Sequence, residues 1–331
     1  MDDRLSKQEA HNLIQMTGGT SFVCVPSETL VVSGSDDGSL MLWDTESRRE
    51  LDTITEHTNS ICALAVSPDG HTLLSAARDG LVLVRIVHAE GVKVRGRRDG
   101  HDGSVNALAI APNGRTIAMG SADYTESLWD SAAQGTTHVL RGHTAIITCV
   151  QFSAGGGRVG TAGADCLARV WDVVSGAELS VLRGHEGVIY TIVFAPNAQR
   201  VVTAADDGTA RVWHAETGEE LVTLREHAGQ VWRAVFSADG KRVLSVDQQG
   251  LVKVCESVGG KVLRSIDTTA ADAINAAAFS CDGKLGCTAA DDNIVRVLLI
   301  FSPDAKNLIS TADHGTMRIW DIEDEKMIKP E

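Results

Sequence analysis

The 331-residue sequence predicts an all-β fold assembled from eight repeat-like units, the seventh of them truncated. Three observations carry that expectation. Phrases ending in tryptophan recur at Trp43, Trp129, Trp171, Trp213 and Trp320, and related phrases with the tryptophan substituted end at Arg85, Cys255 and Leu298. The steps along these eight positions are 42, 44, 42, 42, 42, 43 and 22 residues, and self-similarity at a fixed period of this size marks a repeat architecture. A second marker keeps the same time: His57, His101, His143, His185 and His227 each stand 28 residues before the tryptophan-equivalent position. Between the markers come short apolar runs such as IITCVQFS, RVGTAG and LARVWD, divided by SPDG, SADG, PNG or DDG. Runs of this length with turn chemistry between them form strands and tight turns rather than helices.

Composition fits a packed, acidic, interior protein. Hydrophobic residues make up 43% of the chain, enough for a sizeable core, and six of the 14 aromatic residues are tryptophan, a skew that points to a structural use. The formal charge of −14 argues against phosphate-contacting nucleic-acid binding, which needs a basic surface, and against anionic membranes. Seven cysteines (Cys24, Cys62, Cys149, Cys166, Cys255, Cys281 and Cys287) form no CxxC pair and read as buried free thiols of a reducing compartment. With a polar start, MDDRLSKQEAHN, and no 18-residue apolar run, an intracellular, cytoplasmic location is expected, with nucleus and cilium left open.

A period of about 42 residues, opened by GH and closed by WD around four short strands, resembles the WD40 repeat family over roughly residues 13 to 321. The resemblance implies a β-propeller, a ring of four-stranded sheets (blades) around a central channel. It implies also a buried network in each blade. In blade four His143, Thr161, Asp165 and Trp171 occupy its positions, and in blade five His185, Thr203, Asp207 and Trp213. The turn aspartate would hold the histidine, the histidine the hydroxyl, and the hydroxyl the indole N–H, which needs a partner once buried.

Other blades depart from the pattern. Blade one has Gly19 where the histidine is expected, blade two Arg85 for tryptophan, blade three Met119 for the hydroxyl, and blade six Gln249 and Cys255. The last, 22-residue step is half a period: NIVRVLLIFSPDAKNLIS lacks an outer strand, a loop and an inner strand near residues 297–301. Either eight units with a defective seventh, or seven closed blades with an extra hairpin, would satisfy this, and VRVLLIFS could supply the eighth inner strand. Residues 1–12 read as a polar arm, 13–322 as one propeller domain and 323–331 as a tail. The stretch NLIQMTGGT is expected to pair with the final RIWD strand and protect its edge, the tail EDEKMIK being the alternative.

Recurrent histidine, hydroxyl and aspartate superficially suggest a hydrolase triad. A set repeated in every blade and phased with tryptophan is structural instead, because catalysis needs one such set. No G-x-x-x-x-G-K-[ST], GxSxG or HExxH occurs, so neither catalytic residues nor a phosphate loop nor a metal site is expected. The acidic pairs Asp36-Asp37, Asp206-Asp207 and Asp291-Asp292 all fall in one recurring turn and read as turn residues rather than calcium ligands. The expected function is a non-catalytic protein-interaction scaffold in a larger complex, with a peptide or degron reader such as a ubiquitin-ligase substrate receptor as the alternative, a propeller enzyme ranked below both, and no cofactor or small-molecule substrate. The resemblance places the binding face at residues three and five after each loop histidine and just before the turn aspartate. That gives Ser60, Cys62 and Arg78 in blade two, and Ser104, Asn106 and Ala122 in blade three. Blade four gives Ile146, Thr148 and Ala164, blade five Val188, Tyr190 and Asp206, and blade six Gln230, Trp232 and Gln248. Trp232 is the one tryptophan outside the repeat phase; it reads as a partner anchor or as filler between blades five and six. With Asp36, Asp206, Asp291 and Asp313 on the same face, the expected partner surface is basic and apolar.

Overall fold

The computed structural model describes residues 19–24, 30–44, 49–88, 91–99, 101–131, 135–225, 227–237 and 239–267, with side chains within 32–265. Beyond these it describes strands at 274–279, 286–290, 295–296, 307–312, 316–321 and 327–328. Among the described residues there are six four-stranded and two three-stranded antiparallel sheets and no helix. In each four-stranded sheet the strands lie in chain order, inner to outer. Blade five is representative, with Ile189–Phe194, Arg200–Ala205, Ala210–His214 and Glu220–Leu224. The two central strands, VVTAA and ARVWH, are buried on both faces and read as nearly continuous apolar runs. The outer strand is half exposed, ELVTL, as an edge facing solvent requires.

Each inner strand packs on the inner strand of the next sheet, from Gly19–Cys24 through Ile274–Phe279. The core therefore consists of slices between sheets. Between blades four and five, Val170 and Leu182 meet Ile189, Ile192, Phe194 and Trp213. Close approach there depends on Gly160, where a Cβ would stand 2.8 Å from Ile192 Cδ1. Arginines fasten one sheet to the next at the opposite end: Arg158 donates to the Ala198 carbonyl at 3.0 Å and Arg200 to that of Gly240 at 2.8 Å.

The turns follow the Asp-Gly signals. Asp207 caps its own turn by accepting from Thr209 N at 2.9 Å, and Gly208 follows at φ 77°, a conformation that costs glycine nothing. Two blades place other residues there, Tyr124 at φ 72° and Cys166 at φ 62°.

Two sequence expectations are corrected by register. Gly19 pairs with Ser35 as Ile61 pairs with Ala77 and Ile189 with Ala205, so it begins an inner strand. It does not stand at the loop-histidine position, which is four residues earlier at Gln15 and outside the described residues. The edge of the final RIWD strand is taken by the tail, with Ile319 opposite Ile328 and Trp320 opposite Met327. Closing a local hairpin costs less entropy than bringing together two ends some 300 residues apart. Gly19 and its neighbours instead pair with Leu30–Ser35, and the rest of NLIQMTGGT lies outside the described residues.

The half-period step falls between the last two sheets. The seventh ends at Val295–Arg296, which lies against the first strand of the eighth, Asn307–Ala312. The seventh sheet thus has inner, second and third strands, and the eighth has second, third and outer ones among the described residues. Most of VRVLLIFS, and the acidic residues Asp291, Asp292 and Asp313, lie outside them.

Candidate partner-binding face

The repeated network sets the frame for this face. In blade five His185 Nδ1 lies 2.7 Å from Asp207 Oδ2 and its Nε2 2.7 Å from Thr203 Oγ1, which accepts from Trp213 Nε1 at 2.8 Å. Blade four repeats the chain from Asp165 through His143 and Thr161 to Trp171, at 3.0, 2.9 and 2.9 Å. A hydroxyl that accepts from the indole donates to histidine Nε2, so the imidazole carries its proton on Nδ1 and gives it to aspartate. Burial holds His185 below its usual pKa, against the pull of Asp207, and keeps it neutral. Burial alone would raise the Asp207 pKa, but hydrogen bonds from Thr209, His185 and the Glu186 backbone outweigh it and hold the carboxylate ionised. Thr161 and Thr203 are 0% exposed, so these hydroxyls cannot meet a substrate. The network is structural.

Blades that lack a member either substitute it in place or recruit one from elsewhere. In blade two the Arg85 guanidinium replaces the indole, donating to Ser75 Oγ and, at 3.0 Å, to Glu56. In blade three Ser127 takes the hydroxyl's place, 2.8 Å from His101 Nε2, while Trp129 Nε1 is left without a partner. In blade six Asp247, two residues before Gln249, meets His227 Nδ1 at 3.0 Å. The sequence reading of blade six is corrected accordingly: the carboxylate is present but out of phase. Asp247→Asn therefore lowers stability by about 1–3 kcal/mol in urea unfolding, whereas Gln249→Ala stays within about 0.5 kcal/mol. Equal losses would refute the substitution.

In blades two to six the network histidine fixes the loop that enters the inner strand, and there the ladder slips by one residue. Ile189 pairs with Ala205 and Thr191 with Ala204, leaving Tyr190 as the extra residue of a β-bulge. The same slip singles out Cys62, Asn106, Thr148 and Trp232, and, in blades one and seven, Thr20 and Asn275. A bulge frees a side chain from the alternation of the strand and re-aims it. Every residue five places after a loop histidine is such a residue. Thr20 and Asn275 were missed because blades one and seven lack the histidine from which to count.

On blades five and six the expected residues come together. The Tyr190 and Trp232 rings stack, with centroids 5.6 Å apart and planes at 29°. Tyr190 donates to Asp206 at 3.2 Å, and burial, then the Asp206 charge, raises its pKa. Trp232 Nε1 donates to Gln230 Oε1 at 3.2 Å. Turn and loop are tied by Asp206 N to Val188 O and Gln248 N to Gln230 O, both 2.9 Å. Trp232 is half-buried, lying on Tyr190 of the neighbouring blade.

Arg78 belongs to a second group on blades one to three: its backbone bonds to Ser60 and Ser104, and Ser60 Oγ donates to Asp36 at 2.6 Å. The paired acids of the turns thus divide their work, Asp36 and Asp206 facing the loop and Asp37 and Asp207 holding the turn. Ala122 and Ala164 offer only backbone bonds, to Ser104 and Ile146. Tyr124, 48% exposed at its strained turn, is an aromatic that the sequence reading overlooked because it follows the aspartate rather than preceding it.

Comparison with known proteins agrees with this frame. A family model for the WD domain, G-beta repeat, matches residues 9–44, 48–84, 93–130, 134–172, 176–214, 218–256, 260–298 and 299–321. Periodic tryptophan protein 2 of Arabidopsis thaliana is 42% identical over 57 residues, 17% of this chain and 6% of that protein. Eukaryotic translation initiation factor 3 subunit I of Culex quinquefasciatus is 33% identical over 60 residues, 18% of each. Autophagy-related protein 16 of Arabidopsis thaliana is 26% identical over 146 residues, 43% of this chain and 28% of that protein. The chain thus spans between 6% and 28% of the length of these relatives. WD40 repeats imply a protein-interaction scaffold, and the chain belongs to the WD40 repeat family.

Proposed function

We propose that the protein is a non-catalytic scaffold subunit of a larger cytoplasmic complex, binding its partner on the bulge-bearing face with Tyr190 and Trp232 as anchors. The observation that carries this reading is the stacked pair itself. Two large aromatics stand on adjacent bulges, where the ladder does not require them, on a ring whose other bulge positions hold Cys, Asn and Thr. Rigid aromatics of this kind dominate binding energy at interface centres. Asp206 beside them, exposed Asp36 further round, and the −14 charge favour a partner segment with basic and apolar residues. Among the relatives, one carries the name of a translation initiation factor subunit, in keeping with service inside an assembly.

The test is affinity purification of the full chain from its own cells beside the Trp232→Ala/Tyr190→Ala double variant, with mass spectrometry of what is retained. Partners present with the parent and lost with the double variant are expected, each truncation costing about 2 kcal/mol or more. Partners that survive in full would move the interface elsewhere on the molecule.

A further inference from the structure

At the end of the blades opposite the bulges, a cleft of about 580 Å³ opens between blades four and five. Its walls are two neighbouring turns, Ser153 to Arg158 of blade four and Asn197 to Gln199 of blade five, with His214 and Glu216 beside them. The same turn recurs in blades two, three, five and six, and there side chains fill it. An Asp or Asn at its third position accepts from the backbone N–H two residues on: Asp69 from His71 at 3.0 Å, Asn113 from Arg115 at 2.8 Å, Asn197 from Gln199 at 3.2 Å and Asp239 from Lys241 at 2.9 Å. In blades two and six a serine hydroxyl donates to the same carboxylate, from Ser67 and, at 2.6 Å, from Ser237.

In blade four the turn reads Ser153-Ala154-Gly155-Gly156-Gly157, and it is trimmed at three positions. Ala154 stands where Pro112 and Pro196 lie against the turn glycine of the next blade, 3.3 and 3.4 Å from the place of its absent Cβ. Gly155 stands where the accepting Asp or Asn belongs, and Gly157 where the other blades carry His71, Arg115, Gln199 and Lys241. Gly156 uses its freedom, at φ 70°, but neither Gly155 nor Gly157 has a positive φ, and a Cβ on either would meet nothing within 4 Å. Both are exposed, and neither backbone conformation nor packing requires glycine there. The Gly157 N–H thus occupies the place of a donor that a side-chain oxygen holds in four sister blades, and Gly155 has no such oxygen to offer. Arg158 is committed to the Ala198 carbonyl at 3.0 Å and to Glu216, so the charges of the wall are matched. His214 Nδ1 accepts from Glu216 N and Thr217 N, both at 3.3 Å, which leaves its ring proton on Nε2 as a further donor in the lining.

A ligand for this cleft has to bring what the sister turns supply for themselves, a planar side-chain oxygen on a short stem. Asp and Asn have both, and they are the side chains that hold turn backbone of this kind. A lone cation would meet matched charges, and a flat apolar ring would bring no oxygen for the amide. We infer that an exposed segment of a second protein inserts an Asp or Asn side chain between blades four and five. Its oxygen accepts from Gly157 N–H, in the place where Asp69, Asn113, Asn197 and Asp239 accept within their own blades. This is a second docking point, at the other end of the blades from Tyr190 and Trp232 and independent of them.

The test is to pan a phage library of random nine-residue peptides on the immobilised full-length chain, with soluble Gly155→Asp protein as competitor to remove peptides that do not need the cleft. Gly155→Asp puts back the residue of the sister blades and fills the site. It should melt cooperatively at or above the parental temperature, because a side chain is accommodated there without strain. If it does not fold, Gly157→Lys, which copies Lys241 of blade six, takes its place. The selected peptides are expected to share an Asp or Asn at one fixed position and to bind the filled variant about 10- to 100-fold more weakly. Changing that residue of the peptide to Ala should cause the same loss. In protein carrying isotopically labelled glycine, the Gly157 amide, assigned by its absence from Gly157→Lys, should move downfield in its proton resonance when peptide is added. No cleft-dependent peptide, a selection without the shared oxygen, or a Gly157 amide that does not move overturns the inference. The Trp232→Ala/Tyr190→Ala variant should bind these peptides as the parent does. If it loses them, they belong to the aromatic face and the cleft is refuted, whereas loss of the aromatic anchor reading alone leaves the cleft standing.

Discussion

Trp213→Ala is expected to lower the free energy of unfolding by about 3–5 kcal/mol, read from the urea midpoint. The indole is fully buried between blades four and five, packed with Ile189, Phe194 and Val201, and its loss leaves a cavity that a rigid sheet cannot close. Trp213→Phe separates packing from hydrogen bonding. It keeps most of the apolar area but removes the donor to Thr203, and should cost about 1–3 kcal/mol. Trp129→Phe is the control, because Trp129 Nε1 already has no partner. It should cost less than Trp213→Phe. If the two phenylalanine variants lose equal stability, the network adds nothing beyond packing, and the structural account of the repeated histidine, hydroxyl and aspartate fails.

Glu126→Val acts in the opposite direction and should raise stability at pH 7 by about 1–3 kcal/mol. Glu126 is 1% exposed, and neither carboxyl oxygen has a partner. The same register holds Ala168 and Ala210 in blades four and five and Val82 and Val252 in blades two and six. Burial pushes the Glu126 pKa well above its ordinary 4.5, so the folded protein holds it as a neutral acid. Below pH 4.5 folded and unfolded chains both carry the proton. As pH rises above that, the unfolded chain releases its proton while the folded one retains it, and stability drains away until the folded pKa is passed. The gap between parent and Glu126→Val should therefore widen from pH 4 to pH 7. A gap that stays constant or narrows over that range would mean that the carboxyl finds a partner in solution.

These two positions also mark how far sequence reading reaches. The fold was legible because period, turn chemistry and strand length agree, and because Trp171 and Trp213 sit at the end of phrases that differ little. The bulge residues were legible too, wherever a loop histidine gave a point from which to count. What escaped was substitution across register. Asp247 and Ser127 restore the histidine's hydrogen bonds from positions that a column-by-column comparison regards as unrelated, because a hydrogen bond is satisfied by an atom in the right place and not by a residue number. Gly19 was misplaced for the converse reason: a glycine-rich stretch looks like a loop, yet it pairs with Ser35 as strand. Glu126 gave no signal at all, since an acid in TESLWD looks like a solvated strand residue until the neighbouring sheet is seen to cover it.

The bulges have a consequence for how such a molecule can change. Tyr190 and Trp232 are extra residues, outside the one-to-one pairing that sets the register of their strands. Substituting them leaves the paired positions of the ladder as they are, although it removes the stack between the two sheets. The chain thus separates two tasks that most surfaces combine. One set of positions carries the ladder and the core, and a second, a single residue for each described inner strand, stands outside the one-to-one pairing. New binding preferences can then arise by point mutation without a shift of strand register, so that divergence in partners can run ahead of any divergence in architecture.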